Sequence, residues 1–222
     1  MDIKWSNTQE YNRDIHNEFI EKVNAVPELK ELRDFVEQNA FGFGERSFYW
    51  MWKLIVDDMP DAFTFLEIGV FRGQTLALIQ LLAKMAGKTV NVVGVTPLDT
   101  TDGHWDSDYE ADINLIHFKF GLEQPTIIKG LSTEPDIINF VKTTTFDIVY
   151  IDGGHSYEVA KSDIENYAPL ATKYLVIDDC ANDLNIPFGM FAGIDSVTKA
   201  VNDSKINQKF LFNIVHNKVW KA

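Results

Sequence analysis

Four acids and one histidine stand apart in this sequence because of where they fall. Glu67 lies near the end of the apolar run TFLEI, Asp152 follows FDIVYI, Asp178 and Asp179 follow YLVI, and His155 comes three residues after Asp152. In open α/β sheets, ligands sit outside the carboxyl ends of the strands, so acids there face a shared crevice. If the two later runs are neighbouring strands, their ends lie about 5 Å apart, and Asp152, Asp178 and Asp179 converge. Like charges so close raise one another's pKa unless something positive compensates. All-oxygen donors suit a hard divalent cation, magnesium or calcium, better than zinc. The metal-ligand candidates are therefore Asp152, Asp178 and Asp179. In the competing reading the same acids merely cap the helix and loop that follow them. His155, with an ordinary pKa near 6.5, suits a general base taking a proton from a substrate hydroxyl. His155 and Asp152 are the catalytic candidates, whereas His16, His104, His117 and His216 have no comparable setting in the sequence.

The second chemical feature is the turn after Glu67, with the pattern ExGxxxG over Glu67, Gly69 and Gly73. Glycines allow a sharp turn and a close approach of backbone to ligand. A helix starting near Gly73 points free N–H groups and the positive end of its dipole at whatever lies over the turn. A dinucleotide fingerprint would read GxGxxG, and Phe71 stands where its middle glycine belongs. The pattern fits a zwitterion instead. Glu67 accepts from an ammonium, while the helix start and Thr75 receive a carboxylate, as the amino-acid end of S-adenosylmethionine (SAM) would require. Without a ligand, the same residues are a strand and helix packed through small side chains. An acid near the end of VNVVGV would bridge ribose hydroxyls; the chain has Thr96 there, with Asp99 three residues on as a substitute.

Positioning these groups requires apolar strands over 64–68, 90–95, 126–129, 146–151 and 174–177, alternating with helices. Such a pattern predicts an α/β fold with a parallel sheet covered on both faces. The C-terminal FLFNIVHNKVWKA reads as a closing antiparallel hairpin turning at His216-Asn217. Upstream, residues 1–26 read as a loosely held lead-in. Pro27 opens a helix carrying Leu29, Leu32, Phe35 and Val36, and residues 45–58 form a second, whose Phe48, Tyr49, Trp50 and Trp52 are expected in the core. Between the two helices, Phe41-Gly42-Phe43-Gly44 is either a linker or a loop folded over a cofactor. Residues 100–112 form a long acidic loop that faintly resembles a calcium loop without its central glycine, or a lid carrying His104 and Trp105; a helix is expected from Ile113 to Phe120. Ser132 follows the third strand, where an adenine would be reached. Phe188, Met190 and Phe191 are expected to wall an acceptor pocket.

Composition narrows the partners. The chain has 222 residues and a formal net charge of −13, which suits one domain and argues against nucleic acid or an anionic membrane surface. A small neutral or cationic substrate fits better. The N-terminal stretch is polar, no run approaches a membrane span, and Cys180 is the single cysteine, so a reducing, cytoplasmic setting is expected. Either a monomer or a homo-oligomer is compatible with this composition.

Taken together, FLEIGVFRGQT, FDIVYIDGGHSYE and LVIDDCAN resemble the SAM-dependent O-methyltransferases of the macrocin O-methyltransferase type and, more distantly, catechol O-methyltransferase. The resemblance covers roughly residues 61–182. It implies the Rossmann-like class I methyltransferase fold: a mostly parallel seven-stranded sheet, helices on both faces and a C-terminal antiparallel hairpin. Residues 1–60 would then be a helical cap and 61–222 the Rossmann-like core of a single domain. By that resemblance Glu67, Gly69, Phe71, Gly73 and Thr75 would hold SAM, with Ser132 near the adenine. Asp152, Asp178 and Asp179 would bind Mg²⁺ or another hard divalent cation, and His155 would be the base. The chain departs at Thr96, where the family usually has an acid for the ribose. The expected activity is methyl transfer to a hydroxyl beside a second oxygen donor, such as a sugar diol. A non-catalytic SAM- or nucleoside-binding module is the alternative, although it would need no acid triad. A nicotinamide oxidoreductase would need GxGxxG and an acid at position 96, and the chain has neither.

Overall fold

Period-two alternation along each central strand assigns its apolar residues to two different cores. The computed structural model describes residues 3–98 and 108–222. Three helices come first, α1 (Gln9–Ala25), α2 (Pro27–Asn39) and α3 (Ser47–Asp57). Strands and helices then alternate: β1 (Ala62–Ile68), α4 (Gln74–Met85), β2 (Thr89–Thr96), α5 (Tyr109–Lys119), β3 (Thr126–Lys129), α6 (Pro135–Val141), β4 (Phe146–Ile151), α7 (Tyr157–Tyr167), β5 (Ala171–Ile177) and α8 (Asp195–Asp203). A hairpin of β6 (Lys209–Ile214) and β7 (Asn217–Lys221) closes the chain. The sheet order is β3-β2-β1-β4-β5-β7-β6. Strands β1 to β5 run parallel, and β7 lies antiparallel between β5 and β6. This is the Rossmann-like methyltransferase arrangement, a mostly parallel seven-stranded sheet with an antiparallel C-terminal hairpin.

Phe65, Ile148, Tyr150, Tyr174 and Val176 face a core built with α1 to α5, whereas Leu66, Ile68, Val149, Ile151, Leu175 and Ile177 face one built with α6, α7 and α8. The parity has a functional consequence. Glu67 continues the Phe65 face, Asp152 the Tyr150 face and Asp178 the Val176 face, so all three acids belong to the side that the N-terminal helices cover. Strand order reverses between β1 and β4, which is where a ligand crevice opens in such sheets.

Two sequence expectations give way here. Residues 9–25 are a regular helix rather than a loose lead-in, with Asn12, His16, Phe19 and Val23 buried. These fall on one helical stripe, but two of them are polar, which hid the pattern from a count of apolar residues. Their polar groups are used: His16 Nδ1 meets Ser47 Oγ at 2.9 Å, Asn12 donates to the Asn185 carbonyl at 2.9 Å, and Asn213 donates to Asn12 Oδ1 at 3.0 Å. Helix α5 also begins at Tyr109 rather than Ile113, because Asp108 accepts from the Ala111 amide at 3.0 Å and caps it. No helix among the described residues is long and apolar enough to cross a membrane.

Candidate functional site

The turn after β1 is shaped by chain crossing as much as by any ligand. Gly69 has φ +89°, and a Cβ there would lie 2.0 Å from the Asp152 carbonyl oxygen. The glycine therefore lets the β1 and β4 ends meet. Gly73, with φ +81°, caps the start of α4, and its missing Cβ makes room for Ile113 of α5. Both glycines thus meet a packing requirement, which the expectation of space cleared for a ligand did not include.

A cleft of about 410 Å³ opens over this turn, lined by Glu67, Gly69, Phe71, Thr75, Asp152, His155, Asp178 and Asp179. That volume is in the range of small-molecule sites. The N-terminal helices supply its roof. Phe48, Tyr49 and Trp52 of α3 line it while also belonging to the core, and Phe41 to Gly44 line it too, with Phe41 alone of these four in the core. Phe43 packs on Phe71 with ring centroids 5.1 Å apart. The 41–44 loop is held down by Arg33, which donates to the Gly44 carbonyl at 2.8 Å and to Gln74 Oε1 at 3.2 Å. It is thus a wall of the cleft and not a plain linker.

Glu67 is 3% exposed and its Oε2 has no hydrogen-bond partner. Burial pushes its carboxyl up to about 8, the nearby Asp178 charge adds to the rise, and a hydrogen bond from the Thr75 hydroxyl opposes it. A buried acid with an orphaned oxygen in a cleft is unfavourable by itself and is relieved by a cationic donor. The residues here fit an ammonium.

At the other end of the cleft, Asp178, Asp179 and His216 each offer a ligand atom, all within 4.8 Å of one another. His216 Nε2 is 3.3 Å from Asp178 Oδ1 and 3.7 Å from Asp179 Oδ1, and His155 Nε2 is 3.3 Å from Asp179 Oδ2. Burial first, then the Asp178 charge, raise the Asp179 carboxyl to about 7, with His216 pulling the other way. Asp152 is not in the tight group. It lines the same cleft, accepts from the Tyr150 hydroxyl at 3.0 Å, and is driven well above the carboxylate range by burial and by Asp178, Asp179 and Glu67. The expected trio of Asp152, Asp178 and Asp179 is thus replaced, as the closest set, by one containing His216. Capping does not account for Asp152, since Ser156 caps α7. Asp179 has φ +52°, left-handed for a residue with a side chain. It is held there because Gly193 packs flush against its carbonyl and Ile194 donates to it at 2.8 Å. The chemistry of this donor set, two carboxylates and an imidazole, fits a divalent cation.

Three expected ligand residues are not in the cleft lining. Besides Gly73, Thr96 is buried and donates to the Val70 carbonyl at 2.9 Å, so its hydroxyl serves the turn. Ser132 accepts from the Tyr167 hydroxyl at 2.6 Å through its carbonyl. Asp99, His104 and Trp105 lie outside the described residues. Of the expected acceptor wall only Phe191 lines the cleft; Phe188 is fully exposed and Met190 packs on the core.

A family model described as a methyltransferase domain matches residues 66–180, just over half of the chain. The chain belongs to the methyltransferase domain family. An uncharacterized protein of Acanthamoeba polyphaga mimivirus is 27% identical to this chain over 156 residues, 65% of this chain and 64% of that protein, so less than two thirds of the relative is matched. Among solved structures, cofactor-bound Rv0187 from MTB has a TM-score of 0.54 at 16% identity, covering 80% of this chain and 77% of that one. The SAH-bound Podospora anserina methyltransferase PaMTH1 scores 0.52 at 15% identity over 100% of both chains. MycE methyltransferase from the mycinamycin biosynthetic pathway, in complex with Mg and SAH, scores 0.52 at 16% identity over 87% of this chain and 53% of that one. At such identities these likenesses speak for the fold of the chain alone.

Two parts of the candidate site escaped the sequence, His216 and the aromatic roof. The hairpin reading placed His216 in a turn but gave no strand for that turn to lie beside; the pairing of β7 with β5 sets it next to Asp178. For the roof, the cue was the density of aromatics in 48–52.

Proposed function

We propose that the chain is a SAM-dependent, divalent-metal-dependent O-methyltransferase acting on a hydroxyl of a small molecule, a sugar or other vicinal diol. The observation that carries this reading is one cleft with an orphaned, buried Glu67 oxygen at one end and paired acids at the other. MycE, similar in fold, is described in complex with Mg and SAH. SAM, when bound, supplies an electrophilic methyl group, and a divalent cation lowers the pKa of a chelated hydroxyl. Glu67 would accept from the ammonium of SAM, and Phe71, Thr75 and Gly69 would line its amino-acid end. Asp178 and Asp179, with Asp152 nearby, would hold Mg²⁺ or another hard divalent cation. His155, at the mouth of the cleft beside Asp179, would take the proton from the acceptor hydroxyl. Phe43, Trp52 and Phe191 would exclude water and align the acceptor; alignment alone can supply about 7 to 11 kcal/mol when geometry is near attack.

Calorimetric titration with SAM, with and without Mg²⁺, tests the reading. Micromolar binding is expected, followed by methyl transfer to sugar or catechol acceptors that is lost in EDTA. Absence of SAM binding under both conditions overturns it.

A further inference from the structure

We propose that His216 is a ligand of the cation, and that the site therefore prefers a first-row transition ion such as Mn²⁺ or Co²⁺ over magnesium. The inference rests on the cation site of the proposed function and deepens it.

The tautomer comes first. His216 Nδ1 lies 3.3 Å from the Phe191 carbonyl oxygen. A carbonyl only accepts, so Nδ1 carries the proton, and in the neutral ring Nε2 presents a lone pair. That lone pair points at two carboxylate oxygens, 3.3 and 3.7 Å away. Of these, Asp178 Oδ1 is buried and makes no hydrogen bond. In a protonated ring Nε2 would itself be the cation facing the acids; in the neutral ring the three acceptor atoms converge, all within 4.8 Å of one another, on the place a divalent cation would take. A ring N–H tied to a backbone carbonyl, with the other nitrogen turned to a cluster of acids, is also how metal-binding histidines are oriented.

The ring is fixed independently of any ion. It is 4% exposed and sits edge-on to Phe48 at 4.8 Å and to Phe191 at 5.1 Å. Its own carbonyl accepts from the Cys180 amide at 3.0 Å, which ties the β6–β7 turn to the residue after Asp179. Val215 takes φ +49° just before it. A preorganised imidazole added to two carboxylates changes selectivity. Imidazole suits transition ions, affinity rises from Mn²⁺ to Co²⁺, and magnesium prefers oxygen donors and retains its waters.

The test uses the full chain and metal ions alone. Calorimetry with Co²⁺, Mn²⁺ and Mg²⁺ is expected to show Co²⁺ bound most tightly and Mg²⁺ least. In the Co²⁺ protein, proton NMR is expected to show a paramagnetically shifted, exchangeable imidazole N–H resonance. His216→Asn should remove that resonance and cut Co²⁺ affinity at least about tenfold while changing Mg²⁺ affinity much less. His155→Asn should keep the resonance. Because the resonance is read on the wild-type protein, a misfolded variant cannot decide the matter. Equal affinity for Mg²⁺ and Co²⁺ without a shifted N–H would overturn the role of His216 and leave an all-oxygen site, with the proposed function intact. Binding of no divalent cation would overturn both the ligand and the metal part of that function. SAM titration in the absence of any metal ion, which depends on Glu67, reports separately on the rest.

Discussion

At the Glu67 end of the cleft, the groups that would meet a ligand's charge come from one stretch, Glu67 to Thr75, whereas at the Asp178 end they come from three separate places. Asp152 closes β4, Asp178 and Asp179 close β5, and His216 arrives from the hairpin turn. The first end is held by a strand, a glycine turn and a helix start. The second is held by sheet order, by the Cys180–His216 backbone bond and by aromatic packing on α3. A local motif survives as long as its own strand and helix do. An assembled one depends on every element that delivers a ligand, so the two ends should fail separately under mutation, except where they touch.

They touch at Gly69, and the largest effect is expected there. Gly69→Ala places a Cβ against the Asp152 carbonyl at a positive φ, a strain of about 3 kcal/mol or more. Thermal melting should fall, with SAM and cation binding lost together; loss of one alone would show that the ends are not coupled at this crossing. Next comes Asp178→Asn, expected to weaken cation binding by more than about 10²-fold, beyond what supporting residues are worth, while SAM binding measured without metal is retained. Glu67→Gln is the reciprocal change. It removes a charged hydrogen bond worth about 1.5 to 3 kcal/mol, so SAM affinity should drop roughly 10- to 10²-fold with cation affinity nearly unchanged.

A smaller effect follows from pH. The folded Glu67 carboxyl is raised from 4.5 to about 8 and Asp163 from 3.8 to about 7, again by burial. A raised carboxyl keeps its proton in the folded state, so its stabilising contribution is complete below about pH 4 and is lost as pH rises through 7 and 8. The ligand-free protein should therefore melt at progressively lower temperature from pH 5 to pH 8, and Glu67→Gln should flatten that slope. A slope unchanged in the variant would remove Glu67 as its source. The smallest effect is expected for Phe43→Ala. Phe43 is 61% exposed and its ring packs on Phe71, so folding should be unaffected, while SAM affinity falls by the roughly three- to tenfold that an aromatic pair of about 0.5–1.5 kcal/mol supplies. A large loss of stability instead would make the loop a structural support.

Much of this protein was legible residue by residue. The runs 126–129 and 146–151 predicted β3 and β4 with their observed bounds, and the acids at the ends of 64–68, 146–151 and 174–177 predicted which strand ends face the cleft, because burial on both sheet faces leaves a polar residue no place but the end. The sequence did not reveal that α1 packs through Asn12 and His16, since a polar residue on a buried stripe declares its partner only when the partner, Ser47 or Asn213, is in place. It also could not show whether Gly69 and Gly73 yield to a ligand or to Asp152 and Ile113, since both demand the same absent Cβ. By itself, then, the sequence determined the strand–helix alternation, the Glu67 turn and the paired acids, all of them set by neighbours a few residues away. Only the tertiary structure decided that β7 inserts beside β5, and with it that His216 rather than Asp152 stands closest to Asp178 and Asp179. Antiparallel pairing across β5 and β7 joins residues about forty positions apart, and no periodicity in a chain records a contact at that distance.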